Sequence, residues 1–448
     1  MTRRLRTAAT LDRFARSEAG GLSVFGLIMF TLLLAVGGFA VDLAHRYYAQ
    51  TQLQIAADTT AHAALVHRRR ATEEEAKLAA LELLQGNMPG ERFGTTVAPQ
   101  DIAFGSWVVE NGTRRFEPAP GARGGVFVRA RRVNDRGNAL RSVLLQMVGV
   151  PTLEVGAEAV FVTYQPICIE EGFVAEGRVD VQSNNNYLRG FCIHSNDHVR
   201  INQNNYFEEG TIVSMPDLDL LDIPNSGFER NEGLEAALRE GWQDIRILRE
   251  LDEVRAGLLN GDEEYRRSFI DQSHSTPLIM NLPSNNNTLE MSMLTPGRVH
   301  DIRCNNGNGR LNIPGDTVIH NVVIVTNCLV RIGQNGRLEN ASLFSTNTNR
   351  RAIVGASGTT FGADDNCAPG GGAQIVTLGG MDFPANLGIF GSQLIALGDV
   401  QFAARADGVQ GASIIAGGVI DGTSNSTMAR CNRGMEENFT SPYYRLAL

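Results

Sequence analysis

Residues Gly20 to Val41 (GGLSVFGLIMFTLLLAVGGFAV) are 22 consecutive positions without a charge. As a helix rising 1.5 Å per residue, such a run is ~33 Å long, enough for a hydrocarbon core of ~30 Å. No other feature limits the chain as much, because it sets the compartment of everything after it. Its flanks are unlike: Arg3, Arg4, Arg6, Arg13 and Arg16 precede it, and Asp42 follows directly. The positive-inside rule then predicts a cytoplasmic basic tail over 1–19, a transmembrane helix over 20–41, and all later residues outside the cytoplasm. A cleaved signal peptide is the competing reading. The run is longer than a usual signal core, and Asp42, His45, Arg46, Tyr47 and Tyr48 make a poor small-residue cleavage site. An uncleaved single-pass anchor is therefore expected.

Of 40 bases and 49 acids the first 20 residues take five and two, leaving 35 and 47 beyond them, a net of −12. That balance, with no basic stripe, argues against nucleic acid as a partner. The 448 residues are enough for two or three folded units, and 43% apolar with 20% charged residues fits an ordered chain. All six cysteines (Cys168, Cys192, Cys304, Cys328, Cys367 and Cys431) lie after the span, where disulfides persist. No CxxC occurs, which disfavours zinc ribbons and thioredoxin-type chemistry.

After the span the helix is expected to continue to about Arg70, with Leu43, Tyr47, Gln50, Leu53, Ala57, Ala61 and Ala64 at three-and-four spacing. Its small residues allow another backbone to approach closely, either a partner's or that of its own domain. A second helix is predicted from Thr72 to Gln85, opening on Glu73, Glu74 and Glu75, which suit a helix N-terminus. Asp101–Glu110, a turn at Asn111-Gly112 and Arg115-Phe116 read as a hairpin. Gly125–Arg131 reads as a strand, Asn138–Gly149 as a short helix and Leu153–Tyr164 as a strand again, so 42–165 is expected to be a small α+β domain.

Phe14, Arg16, Glu18 and Gly20 before one span, then Val41-Asp42-Leu43, then Gln52-Leu53-Gln54-Ile55-Ala56-Ala57-Asp58 and an Ala-rich run resemble the TadE/TadG family of Flp (Tad) pilus assembly proteins. Segments Ile102–Trp107, Val126–Ala130 and Gly149–Ala159 are similar to strands that follow this helix in the family, so the resemblance covers about residues 12–165. It implies a component of a pilus machine in a bacterial inner membrane, with the bulk of the chain periplasmic and with pilin or other Tad components as partners. Two departures stand out. The position five past Gly20 is Phe25 rather than the Glu of a prepilin-type cleavage site, and Asp421-Gly422-Thr423-Ser424-Asn425 fails the D-x-S-x-S spacing of a von Willebrand A domain.

From 166 to 448 short β-branched bursts alternate with Asn/Gly clusters, as in 177–186, 197–205, 210–214, 316–345, 373–380, 387–402 and 411–422. A parallel β-helix needs brief strands joined by tight Asn/Gly turns; an antiparallel β-sandwich is the alternative fold. A coil takes roughly 20–25 residues, so cysteines 24 apart stack on adjacent coils. Pairings 168–192 and 304–328 follow as hypotheses, leaving 367–431. An α-helical insertion is expected over 216–294, helical from Glu232 to Leu259 through Leu234, Leu238, Ile245, Leu248 and Leu251. It either caps or flanks the coils or docks another pilus component.

Candidate chemistry is sparse. Asp364-Asp365 faintly resembles the paired Asp of polygalacturonases, but the other motifs of that family are missing and a solvated acidic turn is the plainer reading. Cys192, His194, Asp197 and His198 are ligand-like in type; a disulfide-bonded Cys beside surface His is the plainer account. Asn184–Asn186 and Asn285–Asn287 read as ladders or turns of the coils. No G-x-S-x-G elbow or G-x-x-x-x-G-K-[ST] loop is present. The expectation is a mixed fold: a transmembrane helix and small α+β domain, then a mainly-β domain with a helical insertion. The expected role is non-enzymatic and cofactor-free anchoring or scaffolding in Flp pilus assembly. The residues expected to make contacts are Gly20, Gly21, Gly26, Asp42, Leu53, Ala57 and Asp58. The rivals are a surface adhesin or carbohydrate-binding protein, for which cell-wall or surface glycan is the partner, and an enzyme acting on glycan.

Overall fold

The computed structural model of the protein describes residues 21–110, 113–273, 276–305 and 309–447. The chain divides into two compact units, 1–164 with 442–448, and 165–441. The basic tail over 1–19, Gly20 and the Asn111-Gly112 turn lie outside the described residues.

In the first unit, α1 runs unbroken from Gly21–Arg68, 48 residues or about 72 Å. Its most apolar stretch has a mean hydropathy of 2.5 and is almost wholly exposed, unlike the core helix of a soluble domain. Beyond the span the helix becomes core. Ala49, Leu53, Ala56, Ala57, Ala61, Ala64 and Leu65 are buried, and their small size lets α1 lie close on a sheet. Leu43, Tyr47 and Gln50, which share the expected stripe, are exposed instead. α2 (Glu73–Asn87) packs beside it through Ala76, Ala80 and Leu84. A reciprocal capping box starts α2: the Thr72 side chain accepts from Glu75 N–H and the Glu75 carboxylate from Thr72 N–H.

The sheet beneath is antiparallel, made of β1 (Ile102–Glu110), β2 (Thr113–Pro118), β3 (Gly125–Arg132) and β4 (Val155–Tyr164) in the order β2-β1-β3-β4. Its fifth strand comes from the far end of the sequence. Tyr443–Leu446 pairs along β4 in the register Tyr443↔Tyr164 to Leu446↔Phe161. The sheet is thus interrupted between its fourth and fifth strands by the whole second unit, which corrects the expectation that the β domain runs from 166 to 448. The helix expected over 138–149 is a second correction. Strands Leu140–Arg141 and Thr152–Leu153 pair there and enclose a loop holding one 3-10 turn, Leu145–Val148. Gly149 in the left-handed region (φ 89°) and Pro151 stop helix growth.

The second unit is a β-solenoid of parallel strands, as the Asn/Gly punctuation predicts. Its coils do not stack in chain order. Strand Gly172–Ala175 lies between Cys192–Ser195 on one side and the end of Val400–Ala416 on the other. The joint is made on all three faces, by Phe173↔Ile414, Val179↔Ile420 and Tyr187↔Met428. The chain therefore enters mid-stack and winds outward to Leu238–Glu240. It then crosses to Leu278–Leu282 at the opposite end and winds back to the entry point. One interior apolar row runs through the middle of the stack and across the mid-stack joint: Ile324, Leu343, Ile375, Leu394, Ile414, Phe173, Ile193 and Val213 are successive partners.

The crossing segment is a strap. The row facing the other way (Val325, Phe344, Val376, Ile395, Ile415 and Val174) is also buried, so this face is covered on both sides. α3 (Leu251–Asn260) packs on strands Arg298–Cys304 and Val318–Thr326, burying Leu251, Val254 and Leu258. Gln243 exchanges hydrogen bonds with Asn196 at 2.7 and 3.0 Å, and the Arg267 guanidinium lies 4.5 Å from the Phe439 ring. The insertion expected over 216–294 is corrected accordingly. Among the described residues regular α-helix is confined to Leu234–Ala237 and α3, Leu238–Glu240 is a strand, and Leu278–Leu282 and Asn286–Thr288 join the solenoid. The leucines at helical spacing reflect burial of a strap that changes conformation along its course, not one helix. All three disulfides, 168–192, 304–328 and 367–431, are formed.

Candidate functional site

Asp42 sits where the uncharged run ends, and its side chain is fully buried. Its carboxylate accepts from the backbone N–H of Val143, and from those of Leu144 and Leu145 at 2.9 and 2.7 Å. Asp42 thus caps the turn that the exposed loop makes after Arg141. One helical turn toward the membrane, Gly38 faces Leu144 so closely that a Cβ there would lie 2.9 Å from Leu144 Cδ1. Leu144 can seat against α1 only because position 38 carries no side chain. On the other side of Asp42, Tyr47 and Tyr48 are exposed, which matches an aromatic belt at a membrane–water boundary. A pocket of about 540 Å³ opens beside them, lined by His45, Arg92, Arg132 and Arg141 among others.

The residues expected to make contacts separate into three groups. Gly21 and Gly26 lie on the span, and Gly26 has open space around its Cα. Asp42, Leu53 and Ala57 are engaged within the first unit, the last two in its core. Asp58 is half-buried and accepts from Gln54 Nε2 at 2.9 Å.

In the solenoid, the ligand-like cluster is not assembled. The sulfur of Cys192 is bonded to Cys168, and both ring nitrogens of His194 are taken, by Ser214 Oγ and Asn196 Oδ1 at 2.8 Å each. Burial lowers the pKa of His194, which keeps the ring neutral. Asp197 and His198 pair with each other at 3.1 Å. Asp364 and Asp365 are exposed, and Asp365 accepts from Ala368 N–H at 2.9 Å in a solvated turn.

The asparagines form two ladders. Asn425, Asn184 and Asn204 share positive φ and hydrogen-bond through their side chains at 3.0 and 3.2 Å. Inside them, Asn205 Oδ1 accepts from Asn185 N–H at 2.9 Å and Asn231 Oδ1 from Asn205 N–H at 3.0 Å. Asn286 and Asn312 repeat the side-chain bond elsewhere at 2.7 Å.

One groove on the solenoid, about 390 Å³, was not legible in the sequence. Register brings Asp382, Gln401, Asp421 and Asp180 into one outward row across the joint between the last and first coils. Asp421 accepts from Gln401 and Gln182 at 3.0 and 2.9 Å, while Arg178 pairs with Asp180 at 2.7 Å and Arg351 with Asp382 at 2.8 Å. Residues 180 and 421 are far apart in the chain, and only the stacking order joins them.

Two family models match the chain. Residues 20–72 match one described as Flp pilus-assembly TadE/G-like, a shorter stretch than the 12–165 of the resemblance noted above. Residues 172–432, more than half of the chain, match one described as a domain of unknown function, DUF7867. No curated protein and no solved structure matches. The TadE/G-like segment is the span, the core half of α1 and the turn before α2, and it links the chain to Flp pilus assembly with a single membrane anchor. The DUF7867 match coincides with the β-solenoid, and the chain belongs to that family.

Proposed function

We propose that the protein is a non-enzymatic, single-pass structural component of the Flp/Tad pilus machine in a bacterial inner membrane. Its N-terminus is cytoplasmic and its bulk periplasmic, with pilin or other Tad components as partners. One observation carries this reading: the TadE/G-like segment is built on one continuous helix, Gly21–Arg68, whose first half is the apolar span and whose second half is the core of a folded unit. A displacement of the span is therefore transmitted rigidly to that unit, as an anchor or scaffold requires. Partners meet the span on small positions such as Gly20, Gly21 and Gly26, where helices in lipid approach closely. Leu53 and Ala57 act indirectly, by fixing the helix to its sheet.

Deletion of the gene in its host tests this, with surface pili counted by negative-stain microscopy. The expected result is loss of pili, restored by the full chain and by a version in which 165–441 is replaced by a short Gly/Ser linker. That linker is feasible because Tyr164 and Tyr443 are paired neighbours. Undiminished piliation in the deletion strain would overturn the reading.

The groove favours a second reading, a carbohydrate-binding surface protein. Its row of carboxylates, amides and guanidinium groups is the set of partners that sugar hydroxyls use. On a glycan array the detergent-solubilised chain should then bind, and Asp421→Ala or Gln401→Ala should weaken binding tenfold or more. Binding unaffected by either substitution would dismiss the groove.

A further inference from the structure

We infer that the loop 142–151 is a membrane-dipping element, its apolar side chains lying among the lipid acyl chains of the leaflet in which the span ends. This rests on the reading of 20–41 as a membrane span. The loop carries no charge from Ser142 to Leu153. Val143, Leu144, Met147, Val148 and Val150 are exposed, Met147 by 81% and Val148 by 73%, which is unusual for a soluble surface of this size.

Three observations make lipid the occupant. The loop is held at a fixed height on the span: Leu144 contacts Gly38, and the carboxylate of Asp42 binds the N–H groups of residues 143–145. At the same level of α1, Val36, Phe39 and Val41 are also exposed, so the helix that holds the loop is itself apolar on its outside there. Most of the loop's N–H groups are also bonded within the protein, which lowers the cost of placing non-helical chain at membrane depth. Besides the three bonds to Asp42, Ser142 N–H donates to Pro151 O, Met147 N–H to Leu144 O, Gly149 N–H to Gln146 O and Val150 N–H to Leu145 O, at 3.0–3.2 Å.

The test uses the full chain in nanodiscs with acyl chains brominated near the bilayer surface. Met147→Trp adds a reporter to Trp107 and Trp242, whose signal is subtracted with the unsubstituted chain. The added emission is expected to be blue-shifted and quenched at least twofold, and Asp42→Ala in the same chain should reduce that quenching by freeing the loop. Leu83→Trp, exposed on α2, should stay unquenched. Red-shifted, unquenched emission from Trp at 147 overturns the proposal. So does a blue shift without quenching, which would mark a protein partner on the loop. Phe39→Trp, on the span at the depth of the bromine, separates the two levels. If it is quenched and position 147 is not, only the loop proposal fails; if neither is quenched, the anchor reading has failed and the loop falls with it.

Discussion

Phe173→Ala should destabilise the solenoid by about 3–5 kcal/mol and open it at one place, the joint between the last coil and the first. Phe173 is 1% exposed and lies between Ile414 and Ile193 in the interior row, with its ring 5.0 Å from Phe191 and 5.6 Å from Phe402. At most joints consecutive coils are also linked by the next turn of the chain, so an opened pair stays close. Coils 172–188 and 400–429 have no such link; strand pairing, side-chain packing and side-chain hydrogen bonds such as Gln182 to Asp421 and Asn184 to Asn425 hold them. In stacked repeats stability is a sum of local terms, so loss of one interface is felt where it occurs. Hydrogen exchange checks this. In Phe173→Ala, amides of 172–175 and 413–416 should exchange faster while those of 318–326 are unchanged. Phe361→Ala, equally buried beside Phe383, should cost a similar amount without loosening the joint. A uniform rise across the solenoid in Phe173→Ala would mean that the coils open as one unit.

Removal of residues 442–448 is expected to unfold the first unit while leaving the solenoid folded. The lost strand gives β4 its last hydrogen-bonded neighbour and buries Tyr443, while His62 on α1 packs against both Phe161 and Tyr444, with ring centroids 5.2 and 5.7 Å apart. Four ladder positions at ~1 kcal/mol each and one large apolar side chain at ~2 kcal/mol make the cost on the order of 6 kcal/mol. That is much of the stability a unit of this size has. In nanodiscs, trypsin should then cut at Arg129 and Arg131 in β3, where the full chain resists, while 165–441 stays protected. Unchanged protection of β3 would show the added strand to be dispensable.

Much of the architecture could be read before any coordinates, for local reasons. An uncharged run of 22 residues has one stable form in lipid, and the alanine spacing from Leu53 to Ala64 continues its helix as a core element. The 24-residue separation of Cys304 and Cys328 is one coil, whereas Cys168 lies in the turn Ile167–Glu170 just before the strand that Cys192 pairs with, and Asn at a coil corner serves both a left-handed turn and a ladder. What escaped is non-local. Nothing in the periodicity of 172–188 tells that its coil receives 400–429, because each coil presents the same kind of edge on both sides. The loop over 142–151 escaped for another reason: Leu144, Leu145 and Val148 have helical spacing, but Asp42 binds its first N–H groups from outside and Gly149 ends it after one turn. The groove escaped with the joint that creates it.

The interrupted sheet also sets an order on biogenesis. As the ribosome delivers the chain, β4 is complete 277 residues before its neighbouring strand begins to emerge, since 165–441 must come first. At roughly 5–20 residues per second that delay is on the order of 15–60 s. Throughout it β4 presents an open edge, the sort that pairs with any passing strand. The anchor unit of a chain broken off inside the solenoid would never close. Its folded state therefore reports that everything in between has been synthesised.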